Sequence, residues 1–275
     1  MPSLPFLVNC STLFTEWPLL ERPAAARDAG FDAVEFWWPF ESAVPADGAV
    51  EAFVAAIEAA EVQLVALNFP AGDLSGGDRG LVSWPGRSRE FLDGVDVAVG
   101  IADRLGVRGF NALYGNRLDG VAEAEQDDLA LVNLSRAADA ARRVGAVVLL
   151  EPVSGAPRYP LRTADDVAAV LERLGRSVDV RLLADLYHLA ANDDAVPAAI
   201  TRHRARIGHV QIADAPGRHE PGTGELPIQA WLAELEDGGY TGWVGLEYLP
   251  ESDTQSGLSW LPRERRSART ETEAS

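Results

Sequence analysis

Short apolar runs alternate along the chain with longer segments whose apolar residues recur at helical spacing, from one end to the other. The runs are "PFLVNC", "DAVEFWW", "VQLVALNF", "VRGFNAL", "AVVLLEPV", "DVRLLAD", "GHVQIAD" and "GWVGLEY". Their length and near-continuous apolar character predict buried strands. Between them lie amphipathic or alanine-rich stretches such as "PLLERPAAARDAG", "AVEAFVAAIEAAE", "SREFLDGVDVAVGIADRLG" and "DLALVNLSRAADAARRVG", several closing on the Gly that commonly ends a helix. "TADDVAAVLERLG", with Thr163 as its N-cap, "VPAAITRHRARIG" and "PIQAWLAELEDGG" follow.

A strand-helix unit repeated eight times over about 250 residues predicts an α/β fold, a (β/α)8 TIM barrel. The rival is a doubly wound open sheet. No strand is followed by a G-x-G-x-x-G turn, which disfavours its dinucleotide-binding form. No Pro/Gly/Ser linker divides the chain, so residues 1–262 are expected to form one domain. Two segments break the pattern. The Gly-rich stretch "PAGDLSGGDRGLVSWPGR", residues 70–87, reads as an active-site wall or as a surface insertion. Residues 263–275 are charged and without apolar periodicity, and are expected to be disordered.

Composition narrows the partners. A hydrophobic content of 47% supplies a large core, and 42 acidic against 24 basic residues give a net charge of −18, which repels nucleic acid and anionic membrane. Cys10 is the single cysteine, so no internal disulfide forms, in keeping with a reducing compartment. The N-terminal residues lack the basic start and apolar core of a secretion signal, and no apolar run reaches the ~18 residues of a membrane span. The expectation is a soluble, cytoplasmic protein.

The candidate chemistry lies where the last four strands end, at Glu151, Asp185, Gln211 and Glu247. In a barrel these positions converge at one mouth. Alone, each acid reads more simply as a salt-bridge partner or helix cap. Three carboxylates in one desolvated space, however, require a cation between them. An all-oxygen donor set, with Gln211 binding through its amide oxygen, favours Mg²⁺ or Mn²⁺.

His188, in "DLYH", leaves the strand toward the same mouth and could donate to a substrate oxygen or shuttle a proton. His209 shares a strand face with Gln211 and is the weaker candidate, His203 reads as a helix-surface residue, and His219 has no informative context. Arg218, the one cation in "DAPGRHEPGTGE", could clamp a carboxylate or pair with Glu220 at the surface. Glu35 could line the mouth or pair with a cation, and Trp37 and Trp38 beside it read more readily as core than as ligand contacts.

With these residues in view, the chain resembles the hydroxypyruvate isomerase family, within the xylose-isomerase-like barrels that include sugar epimerases and a metal-dependent apurinic endonuclease. The resemblance spans residues 5–260 and rests on "AGFDAVEFWWPF", "NFPAGD" with its downstream "PGR", "LLEPV", "DLYH", "GHVQIAD", "EPGTGE" and "GWVGLEY", in the family's order. It implies that Glu151 and Glu247 are the acid/base pair and, with Asp185 and Gln211, the metal ligands. It implies His188 and Arg218 as substrate contacts, and Asn68 at the pocket's border.

The implied reaction interconverts hydroxypyruvate and tartronate semialdehyde through an enediolate. Gln211 stands where related epimerases more often carry His, and Leu67 where some members carry His before the Asn. Close relatives isomerise 2-oxo-tetronates, one carbon longer. The implied partner is a small hydroxy-oxo acid, and a homo-oligomer is left open. A phosphodiesterase would call for more His ligands and basic loops than this chain has, and a non-catalytic barrel would be expected to have lost a strand-end acid.

Overall fold

In the computed structural model, which describes residues 4–267, each of the eight apolar runs forms a strand: β1 (Phe6–Asn9), β2 (Ala33–Phe36), β3 (Gln63–Asn68), β4 (Gly109–Asn111), β5 (Val147–Leu150), β6 (Val180–Asp185), β7 (Ile207–Ile212) and β8 (Val244–Leu246). All pair in parallel in chain order, and β8 closes on β1 with Phe6 beside Val244. The result is the expected TIM barrel. Helices cover the outer face: α1 (Arg22–Asp28), α2 (Asp47–Ala59), α3 (Ser88–Leu105), α4 (Glu123–Arg142), α5 (Ala164–Leu174), α6 (Leu186–Ala191), α7 (Val196–His203) and α8 (Ile228–Asp237). Thr163 caps α5 as its sequence predicts, in a reciprocal capping box with Asp166.

Three departures have local causes. α4 begins at Glu123, before the predicted "DLALV" start, since Glu123 and Glu125 suit the positive end of a helix. α6 is too short for a periodic signal, and it begins directly on Asp185. The tail expected to be disordered from residue 263 starts as packed chain: Arg263–Arg265 form a 3-10 turn and Arg266 is buried. Its guanidinium donates to the carbonyls of Ala29 (2.9 Å), Leu258 (2.8 Å) and Leu261 (3.0 Å). One Arg satisfying three carbonyls is invisible to a composition argument. Residues 268–275, the rest of that segment, lie outside the described residues.

Period-two alternation divides the strand side chains between two cores. Outward residues such as Val8, Val34, Leu64, Val148 and Val210 join the main core under the helices. Inward, Leu7, Ala33 and Val65 form a separate cluster toward the N-terminal end, with Trp243 packed against it. Toward the C-terminal end the inward side chains turn polar.

Candidate active site

Each strand delivers a polar side chain within one residue of its C-terminal end: Asn9, Glu35, Asn68, Asn111, Glu151, Asp185, Gln211 and Glu247. Of these, all but Asn68 are at most 4% exposed. Polar groups removed from water to this extent must find partners.

Glu247 collects most of the donors. Its Oε2 accepts from Asn9 Nδ2 (2.9 Å) and Gln211 Nε2 (2.5 Å), and Oε1 accepts a short bond from Arg218 Nη2. Behind it Glu35 accepts from Gln211 Nε2 (2.7 Å) and Asn9 Nδ2 (3.2 Å), and its other oxygen meets His209 Nε2 at 2.6 Å. Glu35 crosses the barrel interior only because β8 carries Gly245, where a Cβ would lie 2.6 Å from Glu35 Oε1. His209 is therefore an interior residue, and Glu35 is its partner.

Glu151 is held through Oε2 by Asn111 Nδ2 (2.7 Å). Burial, then the Glu247 and Asp185 carboxylates, push its pKa well above the usual carboxylate range. Burial likewise raises Glu247, to about 8, with Arg218 pulling the other way. Asp185 is the N-cap of α6: its Oδ1 accepts from the backbone N–H groups of Tyr187 (2.9 Å) and His188 (3.2 Å). The modest helix-cap reading of this acid is thus correct for one oxygen. The other, Oδ2, is buried and has no hydrogen-bond partner among the described residues.

His188 accepts from the Ser154 backbone N–H at Nδ1 (3.1 Å), with Ser154 Oγ at 2.7 Å. In the neutral ring Nε2 therefore carries the proton. Burial lowers its pKa to about 4, so the ring is neutral near pH 7. Nε2 lies 3.6 Å from Asp185 Oδ2 and 3.8 Å from Glu151 Oε1.

These residues suit a divalent metal. Ligand atoms of Glu151, Asp185 and His188 lie within 4.8 Å of one another. Because the His188 Nε2 is a donor, the metal falls to the oxygens. Asp185 Oδ2 and Gln211 Oε1 are both buried and unpartnered, as two oxygens awaiting a cation should be.

A pocket of about 230 Å³ opens on this cluster, lined by Asn68, Glu151, His188, Arg218 and Glu247 together with Trp37, Leu74, Arg79 and Ser154. It is smaller than the roughly 300–1,000 Å³ typical of drug-sized ligands. A larger cavity of about 620 Å³ lies at the opposite end of the barrel, among Arg181, Gly208 and Gly242, away from the converging acids.

The structure brings Asn68, Glu151, Asp185, His188, Gln211, Arg218 and Glu247 together at the barrel mouth, but some partners differ. Arg218 pairs with Glu247 and lies 3.8 Å from Asp185 Oδ2, rather than meeting Glu220. Trp37 lines the pocket instead of packing in the core, while Trp38 packs edge-on to Phe40. His203 is buried, 2.7 Å from Asp165, and not on the helix surface. Leu74 and Arg79 make the stretch 70–87 a pocket wall.

Asn9, Asn111 and Ser154 were not foreseen. The signal available for the two asparagines was their place at strand ends in "FLVNC" and "GFNAL". Asp214, fully buried, was missed as well. It accepts from the N–H groups of Ala215 (2.8 Å), Gly222 (2.8 Å) and Leu226 (3.0 Å), and so shapes the loop that presents Arg218 in a left-handed conformation (φ 59°).

Comparison with known proteins agrees with this architecture. Residues 23–264 match the xylose isomerase-like TIM barrel family. A provisionally named hydroxypyruvate isomerase of Streptomyces coelicolor is 52% identical, over 96% of this chain and 98% of the relative. A 2-oxo-tetronate isomerase of Cupriavidus necator is 35% identical, over 93% and 96%. The crystal structure of a Brucella melitensis protein named as an AP endonuclease of family 2 superposes with a TM-score of 0.84 at 35% identity, covering 94% of this chain and 98% of that one. The chain is an isomerase and belongs to the hydroxypyruvate isomerase family of xylose isomerase-like TIM barrels.

Proposed function

We propose that this isomerase interconverts hydroxypyruvate and tartronate semialdehyde, using Glu151 and Glu247 as its acid/base pair. The observation that carries the reading is the arrangement of two buried glutamates, both with raised pKa, around two oxygens without partners, Asp185 Oδ2 and Gln211 Oε1. Raised carboxyl groups exchange protons with carbon acids near neutral pH better than ordinary ones do.

Glu151, Asp185, Gln211 and Glu247 would hold a divalent ion, Mg²⁺ or Mn²⁺. When bound, such an ion supplies the positive charge that stabilises an enediolate. One glutamate takes the proton from the carbon beside the carbonyl, and the other returns a proton to the neighbouring carbon. The direction of reaction and the pose decide which does which. His188 donates a hydrogen bond from Nε2–H to a substrate oxygen, a role that its neutral ring can sustain near pH 7, while the proton of the substrate hydroxyl passes to the former carbonyl oxygen. Arg218 keeps Glu247 oriented and offers its buried, unpartnered Nε–H to a substrate oxygen. Asn68, which lines the pocket at the end of β3, borders the substrate.

A second reading, isomerisation of a 2-oxo-tetronate one carbon longer, is favoured by the Cupriavidus necator relative and uses the same chemistry. Phosphodiester hydrolysis, which the endonuclease name of the Brucella melitensis protein suggests, fits poorly with a net charge of −18. The reading makes the protein a soluble enzyme of the cytoplasm; no helix among the described residues is long and apolar enough to cross a membrane.

The test is an NMR assay with Mg²⁺ in deuterated water, offering hydroxypyruvate and a 2-oxo-tetronate together and following isomer and deuterium. Preferential conversion of hydroxypyruvate supports the first reading, and preference for the longer acid supports the second. Absence of exchange on both refutes the isomerase chemistry proposed for this pocket.

A further inference from the structure

Two guanidinium groups line the catalytic pocket, and they differ in what surrounds them. The charge of Arg218 is already compensated, because Glu247 and Asp185 both lie against it. Arg79 has no carboxylate within 4.0 Å among the described residues. Its Nη1 donates to the main-chain carbonyls of Leu74 (3.0 Å) and Asp78 (2.6 Å). The adjacent acid is turned elsewhere: the Asp78 carboxylate accepts from Arg87 Nη1 (3.2 Å) and the Asp73 N–H (2.8 Å). In a chain with 42 acidic against 24 basic residues, a pocket-lining cation without an acidic partner is conspicuous.

The loop holds this cation in place. Gly80 N–H donates to the Ala71 carbonyl (2.9 Å), and the Asn116 side chain donates to the Gly77 carbonyl (2.9 Å). At Gly80 itself (φ 112°) a Cβ would stand 1.9 Å from the Leu113 carbonyl oxygen, so the loop is seated directly on the chain that follows β4. With a divalent ion bound, the carboxylates of Glu151, Asp185 and Glu247 balance that ion together with Arg218. Arg79 is then the positive charge left to attract an anion.

We infer that Arg79 binds the carboxylate of the substrate, and that it thereby selects hydroxy-oxo acids over neutral sugars of the same length. The inference rests on the isomerase reading above for the identity of the substrate. Planar, charge-assisted contact between guanidinium and carboxylate gives both affinity and orientation. Arg218 is then free to orient Glu247 instead of clamping the substrate carboxylate.

The test compares the Mg²⁺-loaded wild type with Arg79→Gln, which can still reach nearby carbonyls but lacks the charge, and with Arg79→Lys, which keeps it. Dihydroxyacetone is hydroxypyruvate with CH₂OH in place of the carboxylate, and glycerate and glycerol form the corresponding non-reacting pair. Arg79→Gln is expected to raise KM for hydroxypyruvate about 100-fold, with kcat changed only a few-fold, and to shrink the preference for hydroxypyruvate over dihydroxyacetone by the same factor. Arg79→Lys should recover part of that loss.

Calorimetry gives a readout apart from turnover: glycerate should bind the wild type well above glycerol, and the margin should vanish in Arg79→Gln. Wild-type KM and glycerate affinity in Arg79→Gln would overturn the assignment while leaving the isomerase reading intact. Glycerate binding that depends on Arg79, in a wild type that exchanges no substrate proton, would instead sustain the anion site and overturn the isomerase reading. A wild type that does not prefer glycerate to glycerol overturns the assignment outright.

Discussion

Gln211 donates its amide nitrogen to Glu35 (2.7 Å) and to Glu247 (2.5 Å) at once, which leaves its carbonyl oxygen without a protein partner. The two facing oxygens, Glu35 Oε1 and Glu247 Oε2, each accept from Asn9 Nδ2 as well, so rotating the amide would set its oxygen against two oxygens already engaged as acceptors. Glu35, itself bonded to His209, thus fixes which atom of Gln211 is offered to a cation.

Glu35→Gln removes that constraint, since its own amide can face Gln211 in either sense. Mn²⁺ affinity is expected to fall about 10- to 100-fold, the usual loss when the partner of a metal ligand is changed. Calorimetric titration of the metal-free protein measures it. An unchanged affinity would show that Gln211 is oriented by Glu247 alone, or is not a ligand.

Glu151→Gln and Glu247→Gln keep the shape of the side chain and remove the proton-transfer group. Each is expected to lower kcat at least about 1,000-fold, within the range for general acid/base catalysis. Circular dichroism should report a fold like that of the wild type. Near-normal turnover in either variant would remove that residue from the mechanism.

The raised carboxyl groups predict a pH effect that metal should cancel. A group whose folded pKa lies above its unfolded value binds its proton more tightly in the folded state, so its stabilising contribution is lost as pH rises through the folded value. Glu247, raised from 4.5 to about 8, and Glu151, raised in the same direction, should make metal-free protein less stable at pH 8 than at pH 6.5. His188 is lowered from 6.5 to about 4 and contributes with the opposite sign, but only below pH 6.5. The Tm of metal-free protein is expected to drop by a few degrees over that window. Added Mg²⁺ should raise the Tm at pH 8 and release protons on binding at pH 7, measurable in buffers of different ionisation enthalpy. A flat Tm and no proton release would place both glutamates in the ionised state before metal arrives.

Asp214→Ala leaves three backbone N–H groups without their acceptor, at a cost of about 3 kcal/mol. The damage should centre on the loop that carries Arg218, so activity is expected to fall further than the melting temperature alone explains. Hydrogen exchange across residues 214–226 would show the local opening. Protection equal to the wild type would mean that other contacts hold the loop.

The barrel was legible in the sequence because burial on both faces leaves strands as short apolar runs, and these recur between helical segments with Gly at their ends. Glu151, Asp185, Gln211 and Glu247 were legible because a polar residue closing an apolar run is costly unless it is used. Asn9 and Asn111 passed unnoticed because uncharged amides at strand ends do not stand out. Their meaning comes from Glu247 and Glu151, which lie 238 and 40 residues away along the chain.

What the sequence determined by itself was the local pattern, and with it the strands, most helices and the strand-end residues Glu151, Asp185, Gln211 and Glu247. Only the tertiary structure decided the pairings. It placed Trp37 in the pocket wall, buried His203 against Asp165, drew Arg218 onto two carboxylates and left Arg79 with none among the described residues. Such partnerships depend on distances between residues remote in sequence, and closing the barrel is what sets those distances.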